Sequence, residues 1–260
     1  MNPFLALQAQ KTPLGTWLMA AAPSTAEALG YTGFDFLVVD MEHVTIEFSD
    51  LAHILRAIGV TPAVPVVRLA WNDQILIKRA MDAGAETLMI PFVQDVAQAR
   101  EAVSFMRYPP HGVRGVAAVH RGSKFGTVPG YLASAHQRCC SILQLETPEA
   151  VAAIGDIAAV EGVDAVFVGP GDLSAAMGHI GNIAHPEVQE LIAHAAQAAR
   201  KAGKPIGIVG PNPDMVARFL DYGYTFAAVA SDLAMMTGRA NDWLAQLRKT
   251  APVAVSQAAY

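Results

Sequence analysis

The chemistry-bearing residues of this chain gather where apolar runs stop. The stretch FDFLVVDMEH (34–43) delivers Asp40, Glu42 and His43 in quick succession. PVVRLAWND carries Arg68, CSILQLE ends on Gln144 and Glu146, and DAVFVGPGD ends on Gly171 and Asp172. Two carboxylates from neighbouring strand ends, Glu146 and Asp172, can share one hard divalent cation and leave positions for water and substrate. Gln144 faces the same way as Glu146, because residues two apart on a strand share a face. Arg68 offers a fixed positive charge to an oxyanion or keto oxygen. His43 stands at a strand end as a candidate general base. Glycines around Asp172, followed by the helix-like DLSAAMG, leave backbone amides open to an anion. This inventory suits metal-assisted enolate chemistry.

Each residue also has a structural reading. Asp40 can cap a turn, Arg68 can serve as a barrel salt-bridge partner, and His43 alone would more often be a satisfied structural histidine. Their company at one end of the strands favours catalysis. Asp82, late in QILIKRAMDAGA, reads from sequence alone as a solvated charge, and Glu42 has no firm role. The six lysines (Lys11, Lys78, Lys124, Lys201, Lys204, Lys249) all lie away from strand C-termini, which disfavours Schiff-base catalysis. GPGD lacks the G-x-G-x-x-G spacing of a dinucleotide site.

The elements that must position these groups follow from periodicity. Eight short apolar runs recur: 15–20, 34–40, 64–70, 86–93, 140–146, 164–170, 205–211 and 225–231. Helical patterns lie between them, as in FSDLAHILRAIG and HPEVQELIAHAAQAARKAG, and Gly59, Gly84, Gly203 and Gly223 stand at expected helix C-termini. Eight strands alternating with helices predict a (β/α)8 barrel, which places active sites at the C-terminal ends of its strands. One domain over residues 1–260 is expected, with long connections at 109–139 and 171–184 and a frayed tail from Pro252 to Tyr260.

Bulk properties narrow the partners. A hydrophobic share of 53%, a mean hydropathy of +0.31 and only 16% charged residues fit strands buried on both faces, and point to apolar surface hidden in an oligomer. A net charge of −5 without a basic block disfavours nucleic acid. No apolar run is long enough for a membrane span, and no signal peptide is read at the N-terminus. The adjacent Cys139 and Cys140 give no disulfide framework, so a reducing cytoplasm is expected.

The motifs DMEH, PVVRLAWND, IKRAMDAGAETLMIPFVQ, RYPPHGVRGV, QLETPEA and VEGVDAVFVGPGDLSAAMG, in this order over residues 14–248, resemble the HpcH/HpaI aldolase family. These are metal-dependent pyruvate aldolases acting on 4-hydroxy-2-oxo acids. The resemblance implies a (β/α)8 TIM barrel of the phosphoenolpyruvate/pyruvate type, and a homo-oligomer, usually a hexamer built as a trimer of dimers with an exchanged C-terminal helix. It implies Mg2+ or Mn2+, with Co2+ as a further candidate, held by Glu146 and Asp172. Arg68 resembles the residue that stabilises the enolate. His43 resembles the base, acting through a metal-bound water with Asp40 as close neighbour, and Asp82 resembles the aspartate that a neighbouring subunit supplies to it. Gln144 matches a residue beside the metal, Gly171 and Asp172 match the amides receiving the pyruvate carboxylate, and Trp17 and Val209 match the pocket lining. The loop with His120 and Arg121, and Gly210-Pro211, depart from the family pattern and bear on the aldehyde acceptor. Within the same superfamily, oxaloacetate decarboxylation or acyl-CoA cleavage is the alternative; a barrel serving only for binding or assembly would not need this set of residues.

Overall fold

The computed structural model describes residues 1–251. Eight parallel strands close into a barrel in chain order. They are β1 (Leu14–Leu18), β2 (Phe36–Asp40), β3 (Val64–Arg68), β4 (Thr87–Ile90), β5 (Cys140–Leu145), β6 (Ala165–Val168), β7 (Ile206–Gly210) and β8 (Phe226–Ser231). Seven fall within the predicted apolar runs, β1 begins one residue before its run, and helices cover the outside. The expectation for Pro252–Tyr260 lies outside the described residues.

Alternation along the strands sorts the side chains. On β2, Leu37 and Val39 join the core between sheet and helices, whereas Phe36 and Val38 join the core inside the barrel. The same parity carries Asp40, Arg68 and Gln144 inward at the top of β2, β3 and β5. The interior layers mix large and small residues. A Cβ on Gly207 would sit 2.2 Å from the ring of Phe226, so glycine is what admits that ring. Side-chain caps start the covering helices: Asp73 accepts from the amides of Ile75 and Leu76, and Asn212 from that of Met215. Gly84, Gly203 and Gly223 take left-handed φ values of 107°, 69° and 107° beyond helix ends. Gly59 instead keeps a helical φ of −65°, so its freedom is not needed there.

Two features escaped the sequence reading. The N-terminal residues form a helix, Pro3–Gln8, that plugs the bottom of the barrel. Phe4 is fully buried with edge-on contacts to Phe36 (5.4 Å) and Phe226 (5.3 Å). Asn2 accepts from the amides of Phe4 and Leu5, and donates to the Glu86 and Arg138 carbonyls. Second, the long 107–139 connection follows the helix Val96–Met106 and precedes β5, so it lies at the N-terminal end of this barrel, opposite the mouth. His120 and Arg121 therefore do not line the acceptor side of their own chain's mouth. Arg121 caps a helix there by donating to the Ala83 carbonyl.

The last described helix, Asp232–Arg248, buries only Asp232 and Ala245 and exposes Met236, Trp243, Leu244 and Leu247. Among the described residues, no helix is long and apolar enough to cross a membrane.

Because Phe4 fills the bottom of the interior, Phe4→Ala is expected to cost about 3–5 kcal/mol in chemical denaturation. Turnover per folded molecule should be preserved, since the plug lies at the end opposite the mouth.

Candidate active site

β2 and β3 end side by side, with Asp40 paired in register with Arg68. Both side chains are fully buried. Arg68 Nε donates to Asp40 Oδ1 at 3.0 Å and Nη2 to Oδ2 at 2.7 Å, a bidentate pair that fixes the guanidinium plane. Asp40 Oδ1 also accepts from the amides of Glu42 (2.9 Å) and His43 (3.4 Å). The expectation of a turn-capping Asp40 and that of an active-site Asp40 are thus compatible: one carboxylate both holds the arginine and shapes the loop that presents His43.

Glu42, left without a role by sequence, lies between these groups. Its Oε2 is 3.0 Å from Arg68 Nη1 and 3.9 Å from His43 Nε2. The His43 side chain is half exposed, in the loop that follows β2 at the mouth end of the barrel. Trp17 lies beneath, fully buried, with the guanidinium carbon of Arg68 5.4 Å from its ring. Val209 is buried in the same interior core, so both pocket-lining expectations fall on the floor of the mouth.

On the opposite side, Glu146 follows β5. Its Oε1 accepts from Gln144 Nε2 at 2.8 Å and its Oε2 from the Phe92 amide at 2.8 Å. Phe92 has a left-handed φ of 55°, which aims that amide, and its ring stacks on Trp71 with centroids 5.9 Å apart. A Cβ on Gly169 would come within 2.6 Å of Glu146 Oε1 and 2.9 Å of Gln144 Nε2, so only glycine leaves the carboxylate in place. Gly171 and Asp172 occupy the first turn of the helix Pro170–Ala176, whose leading amides lack intrahelical acceptors.

The electrostatics bind these residues into one cluster. Burial pushes the Glu146 carboxyl up to about 8, helped by the charges of Glu42 and Asp172 and opposed by the Phe92 amide and Arg68. Burial likewise raises Glu42, while Arg68 and His43 pull it down. A dication suits such a set as a counter-charge. The donors fit one: Glu146 and Asp172 offer hard carboxylate oxygens, and the buried Gln144 Oε1 has no hydrogen-bond partner.

Asp82 does not join this cluster. It ends a nine-residue helix, Gln74–Asp82, that begins just after β3, which places it about 13 Å of helix away from the mouth. There it accepts from Arg114 Nη2 at 2.6 Å and lies 3.7 Å from His120 Nε2. It is therefore not the solvated charge that local sequence implied.

Sequence reasoning also missed Phe92, Trp71 and the work of Asp232. The Asp232 carboxylate accepts from the amides of Met19 (2.7 Å) and Ala20 (3.1 Å), and so ties the loop after β1 to the end of β8. Its place at a strand end was a usable signal. The left-handed backbone of Phe92 left none.

The family model of HpcH/HpaI aldolase/citrate lyase matches residues 14–237. A 2-dehydro-3,6-dideoxy-6-sulfogluconate aldolase of Pseudomonas putida is 56% identical over 97% of this chain and 99% of its own length. A 5-keto-4-deoxy-D-glucarate aldolase of Klebsiella pneumoniae is 45% identical over 88% of this chain and 90% of its own. Among solved structures, an HpcH/HpaI aldolase/citrate lyase family protein from Burkholderia cenocepacia superposes with a TM-score of 0.92 at 36% identity, over 95% of this chain and all of that one. Fold, mouth and matches define a carbon–carbon lyase, an aldolase on a (β/α)8 barrel. The chain belongs to the HpcH/HpaI aldolase/citrate lyase family.

The raised Glu146 carboxyl has a stability consequence. Its contribution is full below the ordinary value of 4.5 and is lost as pH rises through about 8. Metal-free wild type is therefore expected to lose melting temperature relative to Glu146→Gln between pH 5 and pH 8. A gap that does not change with pH would contradict the raised carboxyl.

Proposed function

We propose that the chain cleaves a 4-hydroxy-2-oxo acid to pyruvate, or a related 2-oxo acid, and an aldehyde, with Glu146 and Asp172 holding Mg2+ or Mn2+. The observation that carries this is the mouth itself: a buried, bidentate Arg68–Asp40 pair faces Glu146, whose carboxyl is pushed up to about 8 by burial and, after it, by the charges of Glu42 and Asp172. A bound dication supplies Lewis-acid stabilisation of substrate oxygens. Everything else rests on the chain's own groups.

The first-turn amides of Gly171 and Asp172 receive the substrate carboxylate, as helix N-termini favour anions. Arg68, held flat by Asp40, places its charge at the keto oxygen, where negative charge develops. His43 accepts the proton of the 4-hydroxyl. The C3–C4 bond then breaks, its electron pair moves into the enolate of the 2-oxo acid, and the aldehyde leaves. Protonation at C3 completes the 2-oxo acid. Run in reverse, the enolate attacks an aldehyde.

The acceptor class follows from the two relatives, which are named for a sulfonated gluconate derivative and a glucarate derivative. We take the substrate here to be a 2-oxo acid derived from a sugar acid, with the exposed Trp71 and the partly buried Phe92 lining its path. The position of Asp82 supports assembly into a homo-oligomer, a hexamer in our reading. Asp82 can meet His43 only if a second copy brings it, and the exposed apolar residues on Asp232–Arg248 give that helix a face to bury by exchange. Free thiols at Cys139 and Cys140 fit a cytoplasmic setting.

Pyruvate release from a panel of 4-hydroxy-2-oxo acids, oxaloacetate and acyl-CoA thioesters, with and without Mg2+ or Mn2+, tests the reading. Full turnover in excess chelator would end the metal assignment, and preference for oxaloacetate or a thioester would replace the aldol one. His43→Ala is expected to lower kcat by about 10²–10⁴-fold with Mg2+ affinity retained. Arg68→Lys keeps the charge but loses the fork to Asp40, and about 10²-fold or more should go from kcat/KM.

A further inference from the structure

A second cluster of ligand-type side chains lies beyond the mouth residues. The segment between the helices Pro170–Ala176 and Pro186–Lys201 brings together His179, His185 and Glu187. One ligand-capable atom from each lies within 4.8 Å of the other two. His179 Nε2 is 2.9 Å from Glu187 Oε2. The two imidazoles stack with centroids 3.5 Å apart and planes 16° apart. His185 Nδ1 is buried and has no hydrogen-bond partner.

Backbone contacts fix the segment independently of the three side chains. The His179 amide donates to the Ser174 carbonyl (2.7 Å), Asn182 to His179 (2.9 Å) and His185 to Asn182 (3.1 Å). Gln189 Nε2 donates to the Ile183 carbonyl at 2.7 Å. The donors are therefore assembled on a held backbone. None of the three is among the charges that act on Glu42 or Glu146.

We propose that His179, His185 and Glu187 form a second metal site that takes a transition-metal dication of the Zn2+ type. Two imidazoles and a carboxylate are a donor set for zinc, with a further position left to water. Imidazole also selects zinc, cobalt or nickel over magnesium, whereas the oxygen donors of the mouth suit a hard cation such as magnesium or manganese. The segment leads from the helix carrying Asp172 into the first turn of Pro186–Lys201. An ion there clips the rim of the barrel together beside the reaction site without entering it.

The test separates the two sites by working in Glu146→Gln protein, in which the mouth is impaired, and titrating Zn2+ by calorimetry at saturating Mg2+. One Zn2+ per chain is expected. His179→Ala with His185→Ala should abolish that binding. The exposed Glu187→Gln, which threatens folding least, should weaken it by about tenfold or more. The same Zn2+ stoichiometry and affinity in all three proteins, each checked for native circular dichroism, would overturn the proposal. So would absence of Zn2+ binding in the Glu146→Gln parent.

Discussion

The mouth of this barrel is organised around one buried ion pair. Arg68 and Asp40 are both removed from water, and a charge so placed is tolerated only when it is paired and hydrogen-bonded. The bidentate geometry meets that demand and fixes the arginine's plane as a by-product. Asp40 then uses its remaining capacity on the amides of Glu42 and His43. The placement of the electrophilic charge and that of the base are consequently not independent. Both hang on one carboxylate at the end of β2, which is why a residue that never needs to touch substrate matters so much to the chemistry.

Opposite that pair, the structure gathers like charges instead of separating them. Burial raises the proton affinity of Glu42 and Glu146, and the charge of Asp172 adds to both shifts. Glu146 is nonetheless held in one orientation by Gln144 and by the amide of Phe92, a residue with a left-handed backbone. Gly169 completes the cradle by having no side chain. Oxygen donors held in this order support the dication proposed for the mouth.

The far end of the barrel carries a different polar network. Asp82, Arg114 and His120 join the helix after β3 to the long 107–139 connection, with Arg114 buried and Asp82 partly exposed. Helix direction alone separates this network from the mouth of its own chain. In an assembly, such a network can present charge to a neighbour's mouth while staying remote from its own, and the apolar side chains along Asp232–Arg248 offer the surface on which copies would meet.

Much of this was legible in the chain. Short Val- and Ile-rich runs at regular spacing specify buried parallel strands, because only strands covered on both faces lack polar alternation. Eight of them, separated by helical periods, leave a closed barrel as the economical arrangement. Polar residues that interrupt those runs mark the strand ends, so Asp40, His43, Arg68, Gln144, Glu146 and Asp172 could be grouped from sequence alone. What sequence could not decide were contacts that depend on the third dimension. The bidentate pairing of Arg68 with Asp40, the ion pair that gives Glu42 its place, the Phe92 amide on Glu146, the plug formed by Phe4, and the end of the barrel on which Asp82 and the long loop lie all arise between residues far apart in the chain. Local periodicity encodes which face a residue takes. It does not encode which distant partner meets it there, because that is set by the closure of the barrel and the direction of each helix.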